Sequence, residues 1–194
     1  MNNNLSKKVL KIIIIPLIVI LIVDTYLLYK KTNNDIIEIP HDYNSVKFNF
    51  SISLLDNQST LNCVYVYYDD STKIFNLVDS IDEPTLIFRF SGRMCDQCVF
   101  FVIDKIKEKF ENYSSNPRIV FLASEINPRA KTFYEKRIIT LMKDLNGALE
   151  ERQIPYLFIT GKDHTKQFVF VPDKSCPKLT EEYLQTICTR FFQK

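Results

Sequence analysis

The chain has 194 residues, enough for one globular domain and an appendage. Its 25 basic and 23 acidic side chains leave a net charge of +2, which gives no electrostatic case for a nucleic-acid partner. Three glycines, with no Walker or dinucleotide motif, argue against a phosphate-cradling loop, and two histidines, His41 and His164, are too few for a His-based metal site.

The first element is an almost unbroken apolar run, VLKIIIIPLIVILIVDTYLLY, from Val9 to Tyr29. At about 1.5 Å per residue it is long enough to cross a hydrocarbon core of about 30 Å. Lys7, Lys8 and Lys11 at its start favour a cytoplasmic N-terminus, against the weaker pull of Lys30 and Lys31. Asp24 lies toward the outer end, where a charge is cheap. No small-residue cleavage site and no lipobox cysteine follow, so the run reads as an uncleaved anchor. A buried hairpin helix is the other reading. The expected layout is a cytoplasmic tail (1–8), a single-pass transmembrane anchor (9–29), a linker (30–45) and a domain (46–194). In a bacterium this puts the anchor in the inner membrane and the domain in the oxidising periplasm, where an exposed dithiol forms a disulfide unless it is kept reduced.

Within the domain, VKFNFSISL (46–54) alternates Val46, Phe48, Phe50, Ile52 and Leu54 with polar or small residues, which predicts a half-buried strand. LNCVYVYY (61–68) reads as its hairpin partner. KIFNLVDSI is a short apolar segment of open type, and PTLIFRF (84–90) is a buried strand. From Cys98 the period becomes helical, with Val99, Val102, Ile103, Ile106 and Phe110 on one face. RIVFLAS (118–124) is a further buried strand. Asn127-Pro128 is a helix start signal for a face of Ala130, Tyr134, Ile138, Leu141 and Leu145, with Gly147 as the stop. IPYLFIT (154–160) and KQFVFVP (166–172) predict a strand pair. Thr180 is placed as the cap of a last helix carrying Leu184, Ile187, Cys188 and Phe191.

Between the strand at 84–90 and the helix lies SGRMCDQC, with Cys95 and Cys98 three positions apart. The pair is a redox dithiol, half of a metal site, or two core cysteines. A metal site needs a second cysteine pair or clustered histidines, and neither is present. At a helix mouth, free N–H groups and the dipole stabilise a thiolate, the form that attacks disulfides. Cys95 would sit there facing solvent, with Cys98 one turn in, close enough to bridge. Arg89 and Arg93 are candidate cations near the thiolate, or simply snorkelling surface side chains. Asp96 acts in the opposite sense. Of the other cysteines, Cys188 reads as core, Cys63 lies in a strand, and Cys176 is placed in a loop; a Cys63–Cys176 bridge is open.

The order ββ, β–CxxC–α, βα, ββα resembles the thioredoxin-like superfamily over residues 45–194. PTLIFRFSGRMCDQC is similar to its strand and active-site loop, and IPYLFITGKDHTKQFVFVP to its cis-proline strand and hairpin. The N-terminal anchor and leading hairpin look most like the membrane-tethered TlpA/ResA-type thiol:disulfide oxidoreductases. The implied fold is α/β, a central mixed sheet flanked by helices, with an N-terminal β-hairpin and transmembrane helix. The implied site is Cys95 as nucleophile, Cys98 as resolving thiol and Pro155 as the cis proline beside them. The plain alternative for Pro155 is a strand-opening residue. Two positions depart from the pattern: Met94 stands where the family carries Trp, and Arg89 where many members keep a buried acid.

The resemblance implies a membrane-anchored extracytoplasmic thiol:disulfide oxidoreductase, acting as a reductant. It uses no cofactor, takes electrons from a membrane donor and passes them to a protein disulfide. The competing reading is a non-catalytic binding module on the same scaffold. Peroxidase action is weaker, because no PxxxTxxC-type loop precedes Cys95.

Overall fold

A computed structural model describes residues 21–27, 43–68, 73–126, 132–133 and 135–193. The chain divides into two units, Met1–Ile39 and Pro40–Lys194. In the first, residues 21–27 are helical (α1), with the Thr25 hydroxyl donating to the Leu21 carbonyl at 2.8 Å. The rest of the expected anchor lies outside the described residues. Among the described residues, no helix is long and apolar enough to cross a membrane.

The second unit is built on a six-stranded mixed sheet in the order β5-β6-β4-β3-β7-β8. Its strands are β3 (Thr85–Ser91), β4 (Ile119–Ser124), β5 (Thr132–Phe133), β6 (Lys136–Thr140), β7 (Tyr156–Thr160) and β8 (Gln167–Phe170). β3 pairs parallel with β4 and antiparallel with β7, and β4 pairs parallel with β6. Every residue of β3, β4 and β7 is buried, as expected of strands covered on both faces.

The pleat separates two cores. Leu86, Phe88 and Phe90 of β3, with Leu157 and Ile159 of β7, face α3 (Asp96–Lys109) and α5 (Pro177–Ile187). The alternate residues Ile87, Val120, Leu122, Tyr156 and Phe158 face α2 (Tyr43–Asp56), a short 3-10 turn and α4 (Ala148–Glu151). Burying each large side chain stabilises by about 1.5–3 kcal/mol.

Several expectations are corrected. Residues 46–54 are helical, in α2, which also takes in Tyr43–Ser45 of the expected linker. The inward stripe of α2 is Asn49, Ile52, Ser53 and Asp56, a helical spacing carried largely by polar residues. The period-2 run of apolar residues instead leaves Phe48, Phe50 and Leu54 exposed. The hairpin is formed by β1 (Tyr65–Tyr68) and β2 (Lys73–Asn76). The buried polar end of α2 has a role. The Asp56 carboxylate accepts the Ala148 and Leu149 N–H groups at 3.0 and 3.4 Å, capping α4, and it faces the buried Lys166 ammonium at 3.7 Å.

The helix expected after Asn127-Pro128 is also corrected where its residues are described. That start signal lies outside the described residues, but 136–140 is a strand, held by the pairs Phe121↔Ile138 and Leu122↔Ile139. Lys136 is buried in it, donating to the Tyr113 and Asn116 carbonyls at 2.7 and 3.0 Å; burial pushes its ammonium down to about 8. Gly147 opens α4 rather than closing a helix, with φ 140, in the region that favours glycine. The last helix begins at Pro177 with Cys176 as N-cap, and Thr180 is buried inside it.

Candidate active site

Strand directions gather the site at one end of the sheet. The carboxyl ends of β3, β4 and β8 and the amino end of β7 all lie there, because β7 runs antiparallel to both β3 and β8. The loops meeting at this end are Gly92–Met94, Ser124–Ile126, Ile154–Pro155 and Pro172–Cys176.

The β3–α3 loop is tight. The Met94 N–H donates to the Ser91 carbonyl at 3.1 Å and Gly92 N–H to the Ser124 carbonyl at 3.0 Å. A Cβ at Gly92 would overlap the Glu125 carbonyl, so this close approach requires glycine. Met94 is buried, and its sulfur accepts the Ser91 N–H at 3.2 Å.

The loop delivers Cys95 as the N-cap of α3, in extended conformation (φ -60, ψ 113) and exposed. Its carbonyl accepts the Cys98 and Val99 N–H groups at 2.9 and 3.0 Å. Cys98 is half-buried, one turn in, and both are free thiols. Their environments pull the two apart. The thiol and backbone N–H of Cys98 hydrogen-bond the Cys95 sulfur and hold its pKa below the ordinary value, with help from the Lys174 charge. Burial, then the hydrogen bond and charge of Cys95, push Cys98 up to about 11. One thiol is therefore primed and exposed, and the other is held protonated behind it.

Pro155 is brought to the same end. Arg89 pairs with Tyr156, so Pro155 falls alongside Phe90. It is buried, and the Ile154–Pro155 bond is trans, as no cis peptide occurs among the described residues. The trans bond differs from the cis proline that the resemblance implies. The reversal out of α4 is made at Gln153, which takes a left-handed φ of 55 and donates to the Glu150 carbonyl at 3.0 Å.

Arg89 is neither a snorkelling surface residue nor a neighbour of the thiolate. It points to the face of β3 away from α3 and is fully buried. Its guanidinium pairs with Asp144 at 2.8 Å and Glu150 at 2.6 Å, and donates to the Ser124 hydroxyl at 2.9 Å and to the Phe90 carbonyl. Tyr156 closes the network, its hydroxyl donating to Glu150 at 2.9 Å. Arg93 is exposed and engaged by Glu125 and by Asp144 at 3.2 Å. Both arginines are thus committed to carboxylates. The network anchors the floor of the redox loop, since Asp144 holds Arg89 below and Arg93 above.

Among the described residues, the cation whose charge acts on both thiols is Lys174, which sequence reading missed. It lies in the loop after β8, and its ammonium donates to the Gln97 side chain at 3.1 Å, between the two cysteines in sequence. No spacing rule could have found it, because Lys174 is 77 positions from Gln97 and only the sheet topology joins them. Of the remaining cysteines, Cys63 is exposed just ahead of β1, Cys176 is buried rather than in an open loop, and Cys188 is half-buried against the α3–α5 core; Cys63 and Cys176 are free. An apolar concavity of ≈ 720 Å³ runs between α2 and β8, past Phe50, Leu54 and Phe168, and ends at Asp173. Among the described residues, no group of His, Cys, Asp and Glu side chains could hold a metal ion.

A parallel β3–α3–β4 unit, an antiparallel β7–β8 pair, a closing α5, and a CxxC at the mouth of α3 define a thioredoxin-like fold with a dithiol site. No family model and no curated protein matches the chain. Solved structures similar to the chain include Arabidopsis thaliana ScoI with copper bound, at 12% identity and TM-score 0.42, covering 68% of this chain and 99% of that one. A putative thiol:disulfide interchange protein DsbE from Chlorobium tepidum has 12% identity and TM-score 0.42, with 68% and 97% covered. A thiol peroxidase from Chromobacterium violaceum has 13% identity and TM-score 0.42, with 67% and 86% covered. Likeness this distant says nothing about activity, and the fold is defined by strand order and register.

Proposed function

We propose that the protein is a thiol:disulfide oxidoreductase working through Cys95 and Cys98, anchored by residues 9–29 with its domain on the outer side of a bacterial inner membrane. The observation that supports the activity is the asymmetry of the dithiol: an exposed thiol with lowered pKa at a helix mouth, beside a half-buried thiol held at about 11. The placement rests on the apolar run and the lysines before it.

In the reducing direction, the Cys95 thiolate attacks one sulfur of a substrate disulfide. That S–S bond breaks, a Cys95–substrate disulfide forms, and the other substrate sulfur leaves as a thiolate that takes a proton from water. Cys98 then gives up its proton and attacks the Cys95 sulfur. The Cys95–Cys98 disulfide closes and the second substrate thiolate departs. The substrate gains two electrons and two protons, and the dithiol loses them. A membrane-borne electron donor returns them for the next cycle. Pro155, at the same end of the sheet, borders the site where a substrate strand would lie.

The test is reduction of a disulfide-bonded protein by the full chain in detergent, with dithiothreitol as terminal reductant. Cys95→Ser is expected to fall to the uncatalysed rate. A second reading, a binding module without turnover, is favoured by the buried Arg89 in the place of a proton-shuttling acid, since a guanidinium stays protonated. Equal rates for wild type and Cys95→Ser would overturn the enzyme and leave that module.

A further inference from the structure

We propose that Lys174, seated by its hydrogen bond to Gln97, is a positioning residue that stabilises the reduced dithiol by holding a positive charge over it. The proposal rests on the dithiol being redox-active and adds the group that tunes it.

Arg89, Arg93 and Lys174 are described cations at this end of the sheet. Arg89 is buried on the opposite face between Asp144 and Glu150. Arg93 is held by Glu125 and Asp144, so its charge is cancelled locally. Lys174 instead donates to a neutral amide oxygen, that of Gln97, in the first turn of α3. An ammonium held by an amide keeps its field, whereas one held by a carboxylate loses most of it. The geometry is fixed from both sides. β8 ends at Phe170, and Pro172 leads into a turn in which the Asp173 carboxylate accepts the Ser175 N–H and hydroxyl at 2.9 and 2.6 Å. The Asn49 amide of α2 donates to the same carboxylate at 3.4 Å. Among the described residues, acidic charges lie nearby as well: Asp96 in the first turn of α3, and Asp173, which pushes Cys98 up. Lys174 opposes them, and its charge favours the thiolate form at both cysteines.

Stabilising the thiolate stabilises the reduced pair against the disulfide, which makes the couple more oxidising. Lys174 and Gln97 are both exposed, so the effect is modest and screened by salt.

The experiment is the rate of Cys95 alkylation by iodoacetamide against pH, in the full chain at low ionic strength. Lys174→Met is expected to move the profile to higher pH and to slow labelling at neutral pH about threefold. Lys174→Arg should restore the wild-type profile. Raising salt to about 1 M should slow the wild type toward Lys174→Met and leave that variant nearly unchanged. A merely structural role for Lys174 predicts neither the rescue nor the salt dependence. Superimposable profiles for wild type and Lys174→Met would overturn the proposal, while protein-disulfide reduction by the wild type would still stand. Loss of that reduction in the wild type would instead remove the function on which the proposal builds.

Discussion

Limited alkylation of the reduced full chain at pH 7 is expected to label Cys95 and to spare Cys98 by at least about a hundredfold. A thiol of pKa about 11 is ionised to about one part in ten thousand at pH 7, a hundredfold less than one at the ordinary value of 9.0. Cys95 moves the other way, because the thiol and N–H of Cys98 both donate to its sulfur. Access also differs, since Cys98 is half-buried, so the pH profile is the decisive readout. Labelling of Cys95 should level off below the pH at which free cysteine does, and labelling of Cys98 should still be rising at pH 10. Cys98→Ala should shift the Cys95 profile upward, because it removes the leading cause of the lowered value. Parallel profiles for the two thiols would contradict the assigned division of labour.

Arg89→Met is expected to cost about 3–5 kcal/mol, the range for removing one partner of a buried ion pair. The substitution leaves the Glu150 carboxylate, 5% exposed, facing an apolar side chain, with Tyr156 as its remaining donor among the described residues. Asp144 is 40% exposed and can turn to water, so most of the cost falls on Glu150. At about 2–4 °C per kcal/mol for a domain of this size, thermal unfolding should move down by about 10 °C. Adding Glu150→Gln should recover part of the loss, since the uncompensated charge goes with it. The redox loop should loosen as well, because Asp144 also holds Arg93. A loss below about 1 kcal/mol would show that the network does not hold this end of the sheet together.

These two outcomes probe parts of the molecule that the sequence discloses unequally. The β3–CxxC–α3 unit is legible because its signals are local: seven buried residues in a row, then Val99, Val102, Ile103 and Ile106 at helical spacing. β7 and β8 are legible for the same reason, since PYLFIT and QFVF are too apolar to lie outside a sheet. α2 is not, because its inward stripe includes the polar Asn49, Ser53 and Asp56, and the partners of Asn49 and Asp56 lie far along the chain, at Asp173 for the first and at Ala148 and Lys166 for the second. β6 is misread as helix because Ile138 and Leu141 fit a helical spacing, and only pairing with β4 decides otherwise. Arg89 shows the limit most clearly. Its position before the CxxC suggests a role at the thiolate, but strand alternation turns it to the other face, toward Glu150. Cys95 and Cys98 are legible as a pair; Lys174, which biases them, is not.

The most direct measurement is the thiol state of Cys95 and Cys98 in the full chain, read by alkylation and mass after equilibration in dithiothreitol buffers of graded potential. The two thiols are predicted to disappear together, as one reversible two-electron couple approached equally from the oxidised and the reduced side. Thiols that never pair, or a bridge that forms and resists reduction throughout the range, would contradict it.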